Sequence, residues 1–148
     1  MAIIAHYQID SKRQGEKKMD NLDKLVKDEL VPMRKKIMAS FSQKHPQLFS
    51  MVNAMMAGRD GKVGMQVTEN GQVVGKYTFQ LDGINIVNVE SGTLESALQC
   101  PLVGILKPYA TIERSALEEM LKNEQNFIED PFPTIIKYLP KITISFMQ

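Results

Sequence analysis

The chain has 148 residues, 43% of them hydrophobic and 24% charged, and a formal net charge of +1. That is long enough for one domain with its own core, and it lacks the basic excess expected of a nucleic-acid binder. The single Cys100 cannot form an internal disulfide and no apolar run reaches the roughly 18 residues that span a bilayer, so a cytoplasmic protein with no transmembrane segment is expected.

MAIIAHYQID is too short and too polar at its end for a signal peptide, and SFMQ is not a peroxisomal address. SKRQGEKK lacks periodicity and precedes Met19, where a helical pattern begins. Gln14-Gly15-Glu16 can be encoded CAA GGA GAA, which contains the bacterial ribosome-binding sequence AAGGAG; on that reading the gene is bacterial and Met19 is its natural start. The alternative is a flexible arm over residues 1–20, with a single domain over 21–148.

Leu22, Leu25, Val26 and Leu30 recur at helical steps, and Pro32 is expected to kink this helix or to begin another. Ile37, Met38 and Phe41 extend the stripe. Pro46 suits the start of a further helix, with Leu48, Val52, Met55 and Met56 on its apolar face and Gly58 as its C′ cap. The segment VGMQVTENGQVVGKYTFQL (63–81) then alternates with period two. Val63, Met65 and Val67 oppose Gly64, Gln66 and Thr68; after the turn, Val73, Tyr77, Phe79 and Leu81 oppose Val74, Lys76, Thr78 and Gln80. Asn70-Gly71 predicts a type I′ hairpin turn.

Asp82-Gly83 marks a second turn, and INIVNV (84–89) a third strand. Residues 90–108 are ambiguous, being broken by Gly92, Pro101, Gly104 and Pro108. YATIE (109–113) reads as a short strand, after which Ser115 caps a helix in a capping box with Glu118, and Leu117, Met120 and Leu121 form its apolar face. Asp130-Pro131 opens another helix, ended by Pro140, and Ile142, Ile144 and Phe146 alternate along a closing strand. The order predicts an α+β domain with helices packed on one face of a mostly antiparallel sheet.

Catalytic patterns are missing. His6 and His45 have no cysteine or carboxylate at zinc-like spacing, so no metal and no cofactor are implied. GRDGKVG (58–64) follows a helix and precedes a strand, the reverse of a phosphate-cradling loop. Cys100 lacks the flanking signature of a nucleophile. What stands out is methionine, ten in all. Such flexible thioethers either fill an irregular core or wall a deformable apolar pocket.

YATIERSALEEML, the helix PFPTIIKYL and the strand KITISF resemble the C-terminal core of sterol-carrier-type lipid-transfer domains. Thr111, Ile112, Ser115, Leu117, Leu121, Ile135, Lys141, Ile142 and Ile144 occupy the matching positions, and the preceding helix and meander agree in order. The resemblance implies a sheet of about five strands with helices over one face, and an apolar tunnel for fatty acyl or sterol-like molecules. The chain departs from that pattern in its longer link at 90–108 and in ending at the last strand, where many members carry a further helix over the tunnel. Those departures imply a more open cavity, one covered by a second subunit, or none.

The expected function is therefore non-catalytic binding or transfer of an apolar ligand such as a fatty acyl chain, with no nucleic-acid partner. Met55, Met65, Val67, Tyr77, Phe79, Phe132, Ile136 and Phe146 are the candidate lining residues, with Tyr77 placed to orient a polar head group. The alternative reading of the same eight is a tightly packed core in an interaction or oligomerisation module, compatible with a homodimer. An acyl-group enzyme acting through Cys100 is a third.

Overall fold

Proline lacks a backbone N–H and crowds the turn before it, yet Pro32 does not end the first helix. In the computed structural model, which describes residues 21–56, 59–100 and 103–147, helix α1 runs unbroken over 21–44. The chain widens instead. Leu25–Leu30 is π-helical, the Val31 N–H donates to the Val26 carbonyl, and α-helical geometry resumes over Val31–Lys44. His45 leaves the helical region, and Pro46 opens α2, Pro46–Met56, as its residue type predicts. The proposed start at Met19, His6 and the Gly58 cap lie outside the described residues.

The meander follows as β1 (Asp60–Glu69), β2 (Gln72–Asp82) and β3 (Asn85–Ser91). Asn70 and Gly71 both take positive φ, 54° and 81°, as a type I′ turn requires. The alternation is then interrupted. Val67 pairs with Gly75 but Thr68 pairs with Val73, so Val74 is an extra residue and β2 bulges there. The bulge overturns the simple period-two reading: Val73 leaves the face of Tyr77 and is exposed, while Val74 packs on the core.

The described residues of the connection, 90–100 and 103–108, are neither loose nor helical. Leaving the edge strand β3, the chain crosses the sheet face opposite the helices. The Thr78 hydroxyl donates to the Thr93 carbonyl (2.9 Å) and accepts from the Glu95 N–H (3.0 Å), and Leu94 lies where any side chain at Gly64 would stand. Ala97 then bridges to Lys62 at the far edge of β1. A small hairpin follows, β4 (Leu98–Cys100) with β5 (Gly104–Leu106), and delivers the chain to β6 (Pro108–Glu113) parallel to β1. Thr78→Val is expected to cost about 2 kcal/mol, because it leaves the Thr93 carbonyl and the Glu95 N–H without their partner while barely changing volume. Chemical denaturation of the variant checks it; a loss under a few tenths would mean water replaces the hydroxyl.

Strand β7 (Ile142–Phe146) pairs antiparallel with β6, which gives the order β3-β2-β1-β6-β7 with one parallel pair. Between β6 and β7 come α3 (Arg114–Lys122), α4 (Glu124–Glu129) and α5 (Pro131–Tyr138). Helix α3 begins earlier than the expected Ser115 cap: Glu113 is the N-cap residue, with no side-chain bond to the helix. The Glu113 carboxylate instead accepts from Thr68 Oγ1 and the Gly71 N–H, holding the β1–β2 turn, and Glu118 pairs with Arg114 at 2.9 Å.

The core has two parts. On the helix side of the sheet, Met65, Val67, Tyr77, Phe79 and Ile112 pack against Leu22 and Val26 of α1 and Ala116 and Leu117 of α3. Away from the sheet, Met33 of α1 meets Phe127 of α4 and Tyr138 of α5. Ser40 of α1 also donates to the Ile128 carbonyl, fastening α1 to α4. Helix α1 is thus the shared wall of both clusters.

Candidate functional site

Between the two clusters lies a cavity of about 650 Å³. From α1 it is lined by Leu30, Val31, Met33, Arg34, Ile37 and Met38, and from the sheet by Val63, Met65, Phe79, Leu81, Ala110 and Ile144. The later helices contribute Met120, Phe127 and Ile135, α2 contributes Met56, and β4 contributes Leu98. Its volume falls within the 300–1,000 Å³ typical of small-molecule sites. The arrangement follows from α1: its first turns lie on the sheet through Leu22 and Val26, while Met33 is drawn to Phe127 and Tyr138. The space between is left to flexible methionines and branched aliphatics.

Ile135 and Ile144 line the cavity while being 39% and 58% exposed, which marks that side as its mouth. Among the described residues Arg34 is the one charged residue on the wall. It is half-buried, desolvation lowers its pKa, and no hydrogen bond or carboxylate holds it among the described residues. Arg34 also borders a second hollow of about 520 Å³, shared with Lys35, Ser42, Phe49, Ile84 and Asn85, between α1, α2 and the β2–β3 turn.

The eight residues named from the sequence divide in three. Met65 and Phe79 line the cavity. Val67 and Tyr77 sit beside it in the sealed core, and the Tyr77 hydroxyl is already committed, donating to Asp23 Oδ1 at 2.7 Å. Burial, then that bond, pushes the Tyr77 pKa up. Ser91 Oγ donates to the same Asp23 oxygen, so the group ties α1 to β2 and β3. Met55, Phe132, Ile136 and Phe146 are exposed outside the cavity, Phe132 edge-on to Phe41 at 5.1 Å.

The sequence reading named Met55, Ile136 and Phe146, where the cavity is lined by Met56, Ile135 and Ile144, their neighbours on the same elements. It passed over α1 altogether, although Leu30, Met33, Ile37 and Met38 carry a helical spacing. Among the described residues no three His, Cys, Asp or Glu side chains gather as metal ligands, and no helix is long and apolar enough to cross a membrane.

No family model matches the chain, and no curated protein matches it. Among solved structures it is similar to sterol carrier protein 2 from Yarrowia lipolytica in its apo form, at 8% identity over 79% of this chain and 85% of that one, with a TM-score of 0.33. It is similar also to sterol carrier protein 2 like 2 from Aedes aegypti, at 11% identity over 81% and 87%, again with a TM-score of 0.33. At such distances the likeness touches the fold alone and carries nothing about function.

Proposed function

We propose that the chain binds an apolar acyl or sterol-like molecule in the cavity between its two core clusters and carries it without chemistry. One observation carries this reading: a space of about 650 Å³ walled by aliphatic, thioether and aromatic side chains, with Arg34 its only charge among the described residues. A water-filled hollow of that lining gains few hydrogen bonds, whereas each methylene buried there contributes roughly 0.8 kcal/mol. The same space speaks against the filled-core interaction module.

Arg34 gives the ligand a direction. A guanidinium held half out of water beside an apolar wall, with no carboxylate of its own among the described residues, favours an anionic head group such as a carboxylate, which it can grip with two parallel bonds. The hollow beyond Arg34 then receives the head, and the hydrocarbon lies toward Met65 and Phe79.

Titration calorimetry with a long-chain fatty acid and with the fatty alcohol of equal length tests both statements. The intact chain is expected to bind both, the acid more tightly. Arg34→Gln is expected to weaken the acid about tenfold and to leave the alcohol unchanged. Equal loss of both would remove Arg34 from the site, and no uptake of either would remove the ligand reading.

A further inference from the structure

Two glycines of GRDGKVG (58–64), Gly61 and Gly64, are buried in β1 three positions apart, and so face opposite sides of the sheet. Each makes room for a leucine of the connection between β3 and β6. A Cβ at Gly64 would stand 2.6 Å from Leu94, and one at Gly61 would stand 2.8 Å from Leu98. Leu94 lies on the face away from the helices. Two backbone bonds of 2.8 Å between Ala97 and Lys62 then carry the chain around the edge of β1. Leu98 is thereby set over Gly61, on the helix face that Val63 and Met65 share. Of the described residues between β3 and β6, Leu98 alone lines the cavity. It is half-buried, so on that side it is the wall between the cavity and water.

Leu98 also stands at one end of a cross-strand row. Gly61 pairs with Leu81 of β2, and Leu81 pairs with Ile86 of β3, so Ile86, Leu81, Gly61 and Leu98 follow one another across four strands. Three strand spacings make that row about 14 Å long. Leu81, Ile86 and Leu98 all line the cavity, and at the β3 end Ile86 and Arg34 border the second hollow as well. A hydrocarbon whose head is held at Arg34 therefore starts from a fixed point at the β3 end. Gly61 projects nothing into its path, and Leu98 meets it at the far end. A carbon beyond that point must displace the leucine or enter water, and either forfeits the gain that each earlier carbon made.

We propose that Leu98 sets the length of hydrocarbon the cavity accepts, Arg34 fixing the head and the β4–β5 hairpin carrying the stop. This rests on the reading of the cavity as an acyl site and adds to it a selection by chain length.

Titration calorimetry with saturated fatty acids from octanoate to eicosanoate tests it. For the intact chain each added carbon is expected to strengthen binding about fourfold up to a cut-off, beyond which affinity stops rising. Leu98→Ala, which trims the stop, is expected to move the cut-off up by about two carbons and to bind the acid of that length about tenfold more tightly than the intact chain does. Leu98→Phe is expected to move the cut-off down. Ile105→Ala, on the same hairpin but 67% exposed and outside the cavity lining, is expected to leave it where it was. Circular dichroism checks the fold of each variant. The proposal is overturned if the intact chain shows no cut-off, or if both Leu98 variants keep the original one. It is overturned equally if Ile105→Ala moves the cut-off as far as Leu98→Ala, which would assign the effect to the hold of the hairpin. No uptake of any acid would remove the ligand reading and this proposal with it, whereas binding with an unmoved cut-off removes this proposal alone.

Discussion

Replacing Ala110 with phenylalanine is expected to abolish ligand binding and to raise the melting temperature in the same variant. Ala110 stands on β6 between Met65 of β1 and Ile144 of β7, on the face that Ile112 turns toward the helices, and it lines the cavity. A ring built there projects into open space rather than into packed atoms, so the usual penalty for enlarging a core residue does not arise. Filling a void adds dispersion contacts and removes apolar surface from water, which commonly contributes about 0.5–2 kcal/mol. The ring also occupies volume that an acyl chain needs, so affinity for a fatty acid should fall more than tenfold. Binding isotherms and a thermal melt read the two effects separately. Unchanged affinity would place the ligand elsewhere. A loss of stability beyond about 1 kcal/mol, the scale of overpacking, would mean the space is not free to accept the ring.

Phe127→Ala should give the largest loss of stability. Phe127 is 2% exposed, its ring stacks on Tyr138 at 5.4 Å, and it shares a cluster with Met33. It is the only buried side chain that α4 contributes, so removing it loosens α4, α5 and the middle of α1 together. Phenylalanine-to-alanine changes in cores cost about 3–5 kcal/mol, the upper end applying where the site cannot collapse. Here the new void merges with the existing cavity, and the upper end applies. For a chain of this size the melting temperature should drop by about 10 °C. Phe127→Leu should recover most of it. A drop of only a degree or two would make the second cluster a minor contributor.

The fold was legible where side chains repeat with a simple period. The hairpin, its turn, the third strand and the closing strand all follow from alternation backed by Asn70-Gly71 and Asp82-Gly83, and the resemblance to sterol carriers supplied the five-stranded sheet. The features that escaped are those in which the backbone breaks its own period. Val74 is inserted without a glycine or proline to announce it, and it moves Val73 to the other face. The π-helical stretch before Pro32 keeps one continuous helix where a kink or a new helix was expected, because the wider turn absorbs the proline's crowding. Residues 90–108 were opaque because their order comes from distant partners, the Thr78 hydroxyl and the edge of β1, rather than from local propensity. The cavity was the least legible feature. Periodicity identifies which residues are apolar, but whether two apolar clusters meet or stand apart depends on how α1 diverges from the sheet.

The parallel pairing of β1 with β6 bears on how the protein comes together in time. Strands β1 to β3 join through tight turns, but Thr68 and Glu113, neighbours across the parallel ladder, are 45 residues apart in the chain. Local pairings of the first kind form early, whereas a closure over that span waits until loop entropy has been offset by other contacts. The last strands to arrive, β6 and β7, are the ones that bring Ala110 and Ile144 to the cavity wall. The hollow is therefore expected to be completed late in folding, after the local meander has formed. A molecule lodged in it acts on the rate of unfolding rather than on the rate of folding. If the proposed cargo is bound there, the loaded protein is expected to unfold more slowly than the empty one while folding at the same rate.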